Sequence, residues 1–231
     1  MRKALLVALA VMMCGFYAVA QDYPKAEVFG GFSFVHIDTE GFTNADLVAL
    51  TDTPGSTVKT WYPGWEVAGQ YNFTRLLGIK ADISGDYGTP VSVPGVTGIP
   101  SSHGYTFLFG PVVSYRTGRF TPFAHALFGA NRLSIGSSTL GTSAGPFVFI
   151  PGGYSETAFA MAFGGGLDVK LAHHFSARLG QFDYLYTGHC FSLSATEAAE
   201  AGLAQGCLLG VGTAPAAHQN NFRFSTGIVI H

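Results

Sequence analysis

Charge is scarce in this chain: 11% of its 231 residues are Asp, Glu, Lys or Arg, against roughly 25% in ordinary soluble domains. Long apolar runs are missing too. Beyond the first twenty residues no stretch approaches the roughly 20 consecutive apolar residues of a membrane-spanning helix, so helices of that kind do not explain the low charge. There is no basic excess either. Setting aside Arg2 and Lys3 of the leading segment takes the formal charge from −2 to −4, and a mildly acidic chain is a poor partner for nucleic acid. Cysteine is rare, with three in all.

The first residues form a separate object. Arg2 and Lys3 make a basic start, Leu5 to Tyr17 an apolar core, and Ala18-Val19-Ala20 a small-x-small cleavage site. Residues 1–20 read as a cleaved signal peptide, with Gln21 as mature N-terminus and 21–231 as one domain; an uncleaved anchor helix is the alternative. Cys14 follows Met13, where lipoprotein signals place a small residue, so it is not read as a lipid anchor. Cys190 and Cys207 remain, both in one polar segment, and export takes them to an oxidising compartment. A disulfide between them is expected, contributing roughly 3 kcal/mol on the chain-entropy estimate. Two free thiols are the alternative.

What the chain does have is alternation. In GWEVAGQYNFTRLLGIKADISGDYG, Gly64 to Gly88, one face takes Trp65, Val67, Gly69, Tyr71 and Phe73, and the other Glu66, Ala68, Gln70 and Asn72. After Thr74 to Leu77 the pattern resumes, with Ile79, Ala81, Ile83, Gly85 and Tyr87 against Lys80, Asp82, Ser84 and Asp86. Side chains in a strand alternate between faces, so this is a hairpin with one apolar and one charged side. Aromatics near the ends of apolar faces suit strands with lipid outside and a polar lumen inside.

Six further strands fit the same pattern: Lys25–His36, Gly104–Arg116, Phe120–Asn131, Thr157–Lys170, Phe175–Tyr186 and Asn221–Ile230. In the strand from Phe175, Arg178 opens the polar parity but Gln181 and Asp183 then carry it, a one-residue slip that predicts a β-bulge at Gly180. The connections alternate long and short: 37–59, the tight hairpin turn, 89–102, Thr117-Gly118-Arg119, 132–156, 171–174 and 187–220. Asn44 to Leu50 has the makings of a helical turn. The last long connection holds a capping box, Ser194 to Glu197, with Gly206 to end the helix. Eight strands with both termini on one side are what closing an antiparallel up-and-down barrel requires. The fold class is therefore all-β, an eight-stranded transmembrane β-barrel with a short helix in the last long surface loop.

The chain resembles the OmpA/OmpX-like family of small outer-membrane β-barrels. The residues that carry the likeness are KAEVFGGFSF, GWEVAGQYNFTRLLGIKADIS, FGGGLDVKL and the closing NNFRFSTGIVI. The resemblance implies an outer-membrane location, assembly by the outer-membrane assembly machinery, and short turns in the periplasm with long loops outside. Two departures stand out. No appended peptidoglycan-binding domain is present in the sequence, and His231 stands where the family ends in an aromatic. Either Ile230 or Phe224 takes that role, or assembly efficiency differs.

By parity the inward charges are Glu27, Glu66, Asp82, Asp86 and Asp168 against Lys80, Arg116, Lys170, Arg178 and Arg223. An eight-stranded barrel is just wide enough for side chains to fill it. Unpaired charge there is costly, so an ion-pair network plugging a near-neutral lumen is expected, with a narrow gated pore as the alternative. His174-Phe175-Ser176 matches the His-x-Ser string of lipid A deacylases but falls at a periplasmic turn, without a carboxylate placed to complete it. No catalytic residue is therefore assigned, and no cofactor. His173 and His174, as strand neighbours, would point opposite ways, so no metal site is assigned either. Tyr62, Trp65, Tyr87, Tyr105, Tyr115, Tyr184 and Tyr186 suit interfacial belts, with carbohydrate stacking the alternative for the outermost. Outer-membrane lipid is the expected partner of a monomer, and the polar loops suit either an extracellular ligand or a merely solvated surface.

Overall fold

The computed structural model describes residues 23–39, 43–136, 138–142, 145–150, 154–188 and 219–231. Eight strands close a barrel: β1 (Ala26–His36), β2 (Trp61–Asn72), β3 (Leu77–Gly88), β4 (Ser102–Ser114), β5 (Phe120–Ile135), β6 (Tyr154–Lys170), β7 (Phe175–Thr187) and β8 (Gln219–Ile230). Each pairs antiparallel with its sequence neighbours, and β1 closes the ring on β8, with Gly30 opposite Ile228 and Phe34 opposite Phe224. With 11 to 17 residues apiece, the strands exceed the roughly 9–11 a tilted spanning strand needs. Closure leaves no unpaired edge, the condition for crossing a bilayer with strands.

Sequence parity sets the two faces. Phe32 is 72% exposed and Phe182 68%, while Glu66 and Gln181 are fully enclosed. Polar groups inside and aromatic rings outside invert the order of a soluble protein, and a face of that kind needs lipid against it. The slip in β7 is present. Arg178 and Gln181 of β7 stand opposite Gly227 and Ser225 of β8, so β7 carries one residue more, the bulge that turns Gln181 and Asp183 inward.

Several details differ from the sequence reading. The strands β5 and β6 pair out to Ile135 and Tyr154, beyond the expected Asn131 and Thr157, because backbone pairing continues through Arg132, Leu133 and Ser134 where the alternation of side chains has faded. The third long connection contains strands Ser138–Thr142 and Gly145–Ile150, and the former also pairs with Val96–Thr97 of the second connection. The helical turn expected over Asn44 to Leu50 is present, as a helix α1 (Asn44–Thr51) held at its start by reciprocal Thr43 and Asp46 hydrogen bonds. Tyr62 is 4% exposed and faces inward, so it is not part of an interfacial belt. His173 and His174 lie in a turn rather than a strand, and their rings sit edge-on 4.4 Å apart. The expected helix from Ser194 and the expected Cys190–Cys207 disulfide lie outside the described residues.

Candidate functional site

The inward charges converge on Arg223 of β8. Its guanidinium donates to Asp183 Oδ2 from Nε (2.9 Å) and Nη2 (2.7 Å), and to Asp82 Oδ1 (2.9 Å) and Oδ2 (3.2 Å). A further donor reaches Ser84 Oγ at 2.9 Å, and Glu66 Oε2 lies 3.7 Å from Nε. Lys80 Nζ stands 3.3 Å from both Glu66 Oε1 and Asp82 Oδ2, and donates to Gln181 Oε1 at 3.1 Å. Gln181 in turn donates to Glu66 and Asp183, and the Ser225 hydroxyl to Glu66. Four strands, β2, β3, β7 and β8, therefore meet through one network. Its groups are desolvated, and the hydrogen bonds that satisfy nearly every donor are what make such burial tolerable.

A second pair lies toward the short-turn end. Arg178 donates to both oxygens of Asp168, at 2.8 and 3.0 Å, and to Gln181 Oε1 at 2.7 Å. Its guanidinium carbon lies 4.2 Å from the Phe29 ring centroid and 4.3 Å from that of Phe123. The flat cation is thus clamped by two rings and one carboxylate, a geometry that suits Arg and not Lys. At the barrel's rim Arg116 Nη2 meets Glu27 Oε1 at 2.5 Å, and Asn72 donates to the same oxygen at 2.9 Å.

Eight of the ten residues assigned from parity thus take part in ion pairs. Two do not. Lys170 is exposed at the short-turn rim, and Asp86 rests against the Gly104 backbone, where an added Cβ would come within 2.7 Å of its Oδ2; neither joins an ion pair among the described residues. Two participants were not in that set. Asp183 is turned inward by the bulge, and carrying the bulge through to the charge count would have found it. His125 is 6% exposed, with Nε2 3.0 Å from Asp183 Oδ1 but without hydrogen-bond alignment; its shared face with Leu127 was the only signal in the sequence. Exchanging Lys170 for Asp183 makes this set net acidic rather than neutral.

The plug is also more than ionic. Leu108, Leu127, Ala160, Ala162 and Leu185 form a buried apolar layer one row beyond Asp183 on the long-loop side. A cavity of about 10 Å³ among Glu27, Gln70, Lys80 and Arg178 has room for about one water. Gly164 leaves space for Asp183: a Cβ there would stand 2.1 Å from its Oδ1 and 2.3 Å from Phe182 O.

Sequence comparison agrees with this geometry. The outer membrane protein beta-barrel domain family matches residues 6–212. This chain belongs to that family. It is accordingly an outer-membrane barrel, and its eight-stranded meander is the architecture that the likeness to OmpA/OmpX-like proteins implied. No curated protein matches the barrel's sequence. Solved structures similar to it include Ail, the attachment invasion locus protein of Yersinia pestis, at 12% identity and TM-score 0.47, covering 88% of this chain and 97% of that one. Neisserial surface protein A gives 9% identity and TM-score 0.49, with 90% and 97% covered. OprG from Pseudomonas aeruginosa gives 12% identity and TM-score 0.44, with 89% and 94% covered.

The Ser176 hydroxyl of the His-x-Ser string lies 2.7 Å from His231 Nε2, at the short-turn end. His231 Nδ1 has no hydrogen-bond partner among the described residues, so none of them orients the ring as the third group of a serine nucleophile's base would. Burial holds the His231 imidazole below its ordinary pKa.

Proposed function

We propose that this is a sealed barrel with a structural role in the envelope, acting neither as a pore nor as an enzyme. The observation that carries the reading is Arg223, 1% exposed and bonded at once to Asp82 and Asp183 from opposite sides of the lumen. Opening a path for ions would separate charges that have no water to replace their partners. Planar-bilayer recordings of the purified protein should therefore show no steady unit conductance. Repeatable unit steps would overturn the sealed reading. Residues 1–20 are removed on export, the mature chain is monomeric, and the assembly machinery inserts it. Cys190 and Cys207 pair in the last long loop.

A second role, surface interaction, is favoured by order in the long connections. Strand Ser138–Thr142 bridges Val96–Thr97 and Gly145–Ile150, so the second and third loops share one small sheet beyond the barrel. Such a platform suits recognition of an extracellular ligand. A deletion strain should then lose ligand binding or adhesion relative to its parent, with unchanged lipid A mass spectra; equal adhesion of the two strains would sink this role, and altered lipid A would sink the non-enzymatic reading.

A further inference from the structure

The outward faces of β2 to β6 carry three successive rows near the long-loop end. The lowest is apolar: Val67, Ile83, Phe107, Ala130 and Phe159 follow one another in register. Two residues further out the row changes character. Trp65, Gly85, Tyr105, Arg132 and Thr157 are consecutive partners. Beyond it Tyr87, His103, Ser134 and Ser155 form a row of hydroxyls and one imidazole.

The aromatics of these rows are joined by hydrogen bonds. Trp65 Nε1 donates to Tyr87 Oη at 3.0 Å, and Tyr87 Oη to Tyr105 Oη at 3.3 Å. Gly85 makes this possible, since a Cβ there would come 2.9 Å from Trp65 Nε1 and 3.0 Å from Tyr87 Oη. Arg132 stands directly beside Tyr105, exposed, with Nη2 3.3 Å from Ser155 Oγ. Among the described residues it is the one cation on the outward face of a strand in the long-loop half. Glu156 lies between Ser155 and Thr157 and so has the opposite parity.

We propose that this patch binds the phosphorylated saccharide head group of an outer-leaflet glycolipid. The acyl chains would lie on the apolar row, sugar rings would pack on the linked aromatics, and Arg132 would meet a phosphate with more than one donor. Charge complementarity selects the ligand, because a neutral or zwitterionic head group offers Arg132 no unpaired anion. The other side of the barrel lacks the cation: outward positions of β1 and β8 at that end are Phe32, Phe34, His36, Asn220, Phe222 and Phe224, with no Lys or Arg among them.

The test uses the full chain in nanodiscs of zwitterionic phospholipid, with retained lipid A measured by native mass spectrometry. Bis-phosphorylated lipid A should be retained at least about tenfold better than its dephosphorylated form, the factor expected from one charge-assisted hydrogen bond at the low end of its range. Arg132→Gln should lose that discrimination, whereas Arg119→Gln at a short turn should keep it. Tyr87→Phe with Tyr105→Phe should weaken retention of both forms and preserve their ratio. Equal retention by wild type and Arg132→Gln, an equal loss in Arg119→Gln, or full displacement by inorganic phosphate at equimolar concentration would overturn the proposal.

Discussion

Replacing Arg223 with Met keeps most of the side-chain volume and removes the charge that joins β3, β7 and β8. The residue makes five hydrogen bonds, four of them to carboxylates. At about 1.5–3 kcal/mol each for charge-assisted bonds, a simple sum would far exceed the stability of most domains. That sum overstates the loss, because Asp82 keeps Lys80 at 3.3 Å and Asp183 keeps Gln181 at 2.7 Å. The better measure is the cost of leaving one side of a buried ion pair uncompensated, about 3–5 kcal/mol. The assay is urea unfolding in lipid vesicles, followed through Trp61 and Trp65 and extrapolated to zero denaturant. Adding Asp82→Asn and Asp183→Asn to Arg223→Met should recover at least half of the loss, since the remaining network is then neutral. A loss below about 1 kcal/mol in the single variant, the range of an exposed pair, would refute the claim that this network holds the lumen together.

Three further outcomes follow from the same geometry, and a fourth from the sequence. Arg178→Lys should cost about 1–2 kcal/mol in the same unfolding assay, because an ammonium loses one of the two bonds to Asp168 and the fit between Phe29 and Phe123; a loss indistinguishable from zero would count against the clamp. Gly164→Ala should destabilise by about 1–3 kcal/mol through overpacking against Asp183 and the Phe182 carbonyl, and wild-type stability would show that the strands yield freely. Because burial lowers the His231 pKa, the unfolded chain takes up its proton first as pH falls below about 6.5. Acidification should therefore reduce stability more in wild type than in His231→Gln, and parallel pH profiles would contradict this. Cys190 and Cys207 should resist maleimide until a reductant is added; immediate double labelling would exclude their disulfide.

The barrel was legible in the sequence because each spanning strand carries its information in a period of two. Glu66, Lys80 and Asp82 are each fixed inward by apolar neighbours such as Val67, Ala81 and Ile83, which belong outside. Parity says which face a residue occupies, not how deep along the barrel it lies. Lys170 has inward parity yet sits at the rim, where water solvates it and no partner is required. Depth depends on the stagger between strands, which pairing register sets and local sequence does not display. The apolar layer of Leu108, Leu127 and Leu185 was hidden for a related reason: an inward leucine looks like a break in the alternation until its neighbours across the lumen are known. The extensions of β5 and β6 past Asn131 and Thr157 were illegible because main-chain pairing there continues without an apolar outer face to mark it.

The central claim is that the aromatic outer face of these eight strands is solvated by lipid around a closed, packed lumen. It is tested most directly by fractionating cells and comparing boiled with unboiled protein on SDS gels. Recovery in the outer-membrane fraction, with a faster-migrating unboiled form that shifts on boiling, is the result this structure predicts. A soluble periplasmic protein whose migration is the same before and after boiling would contradict it, because Phe32, Phe107 and Phe182 would then have to be covered by protein instead of lipid.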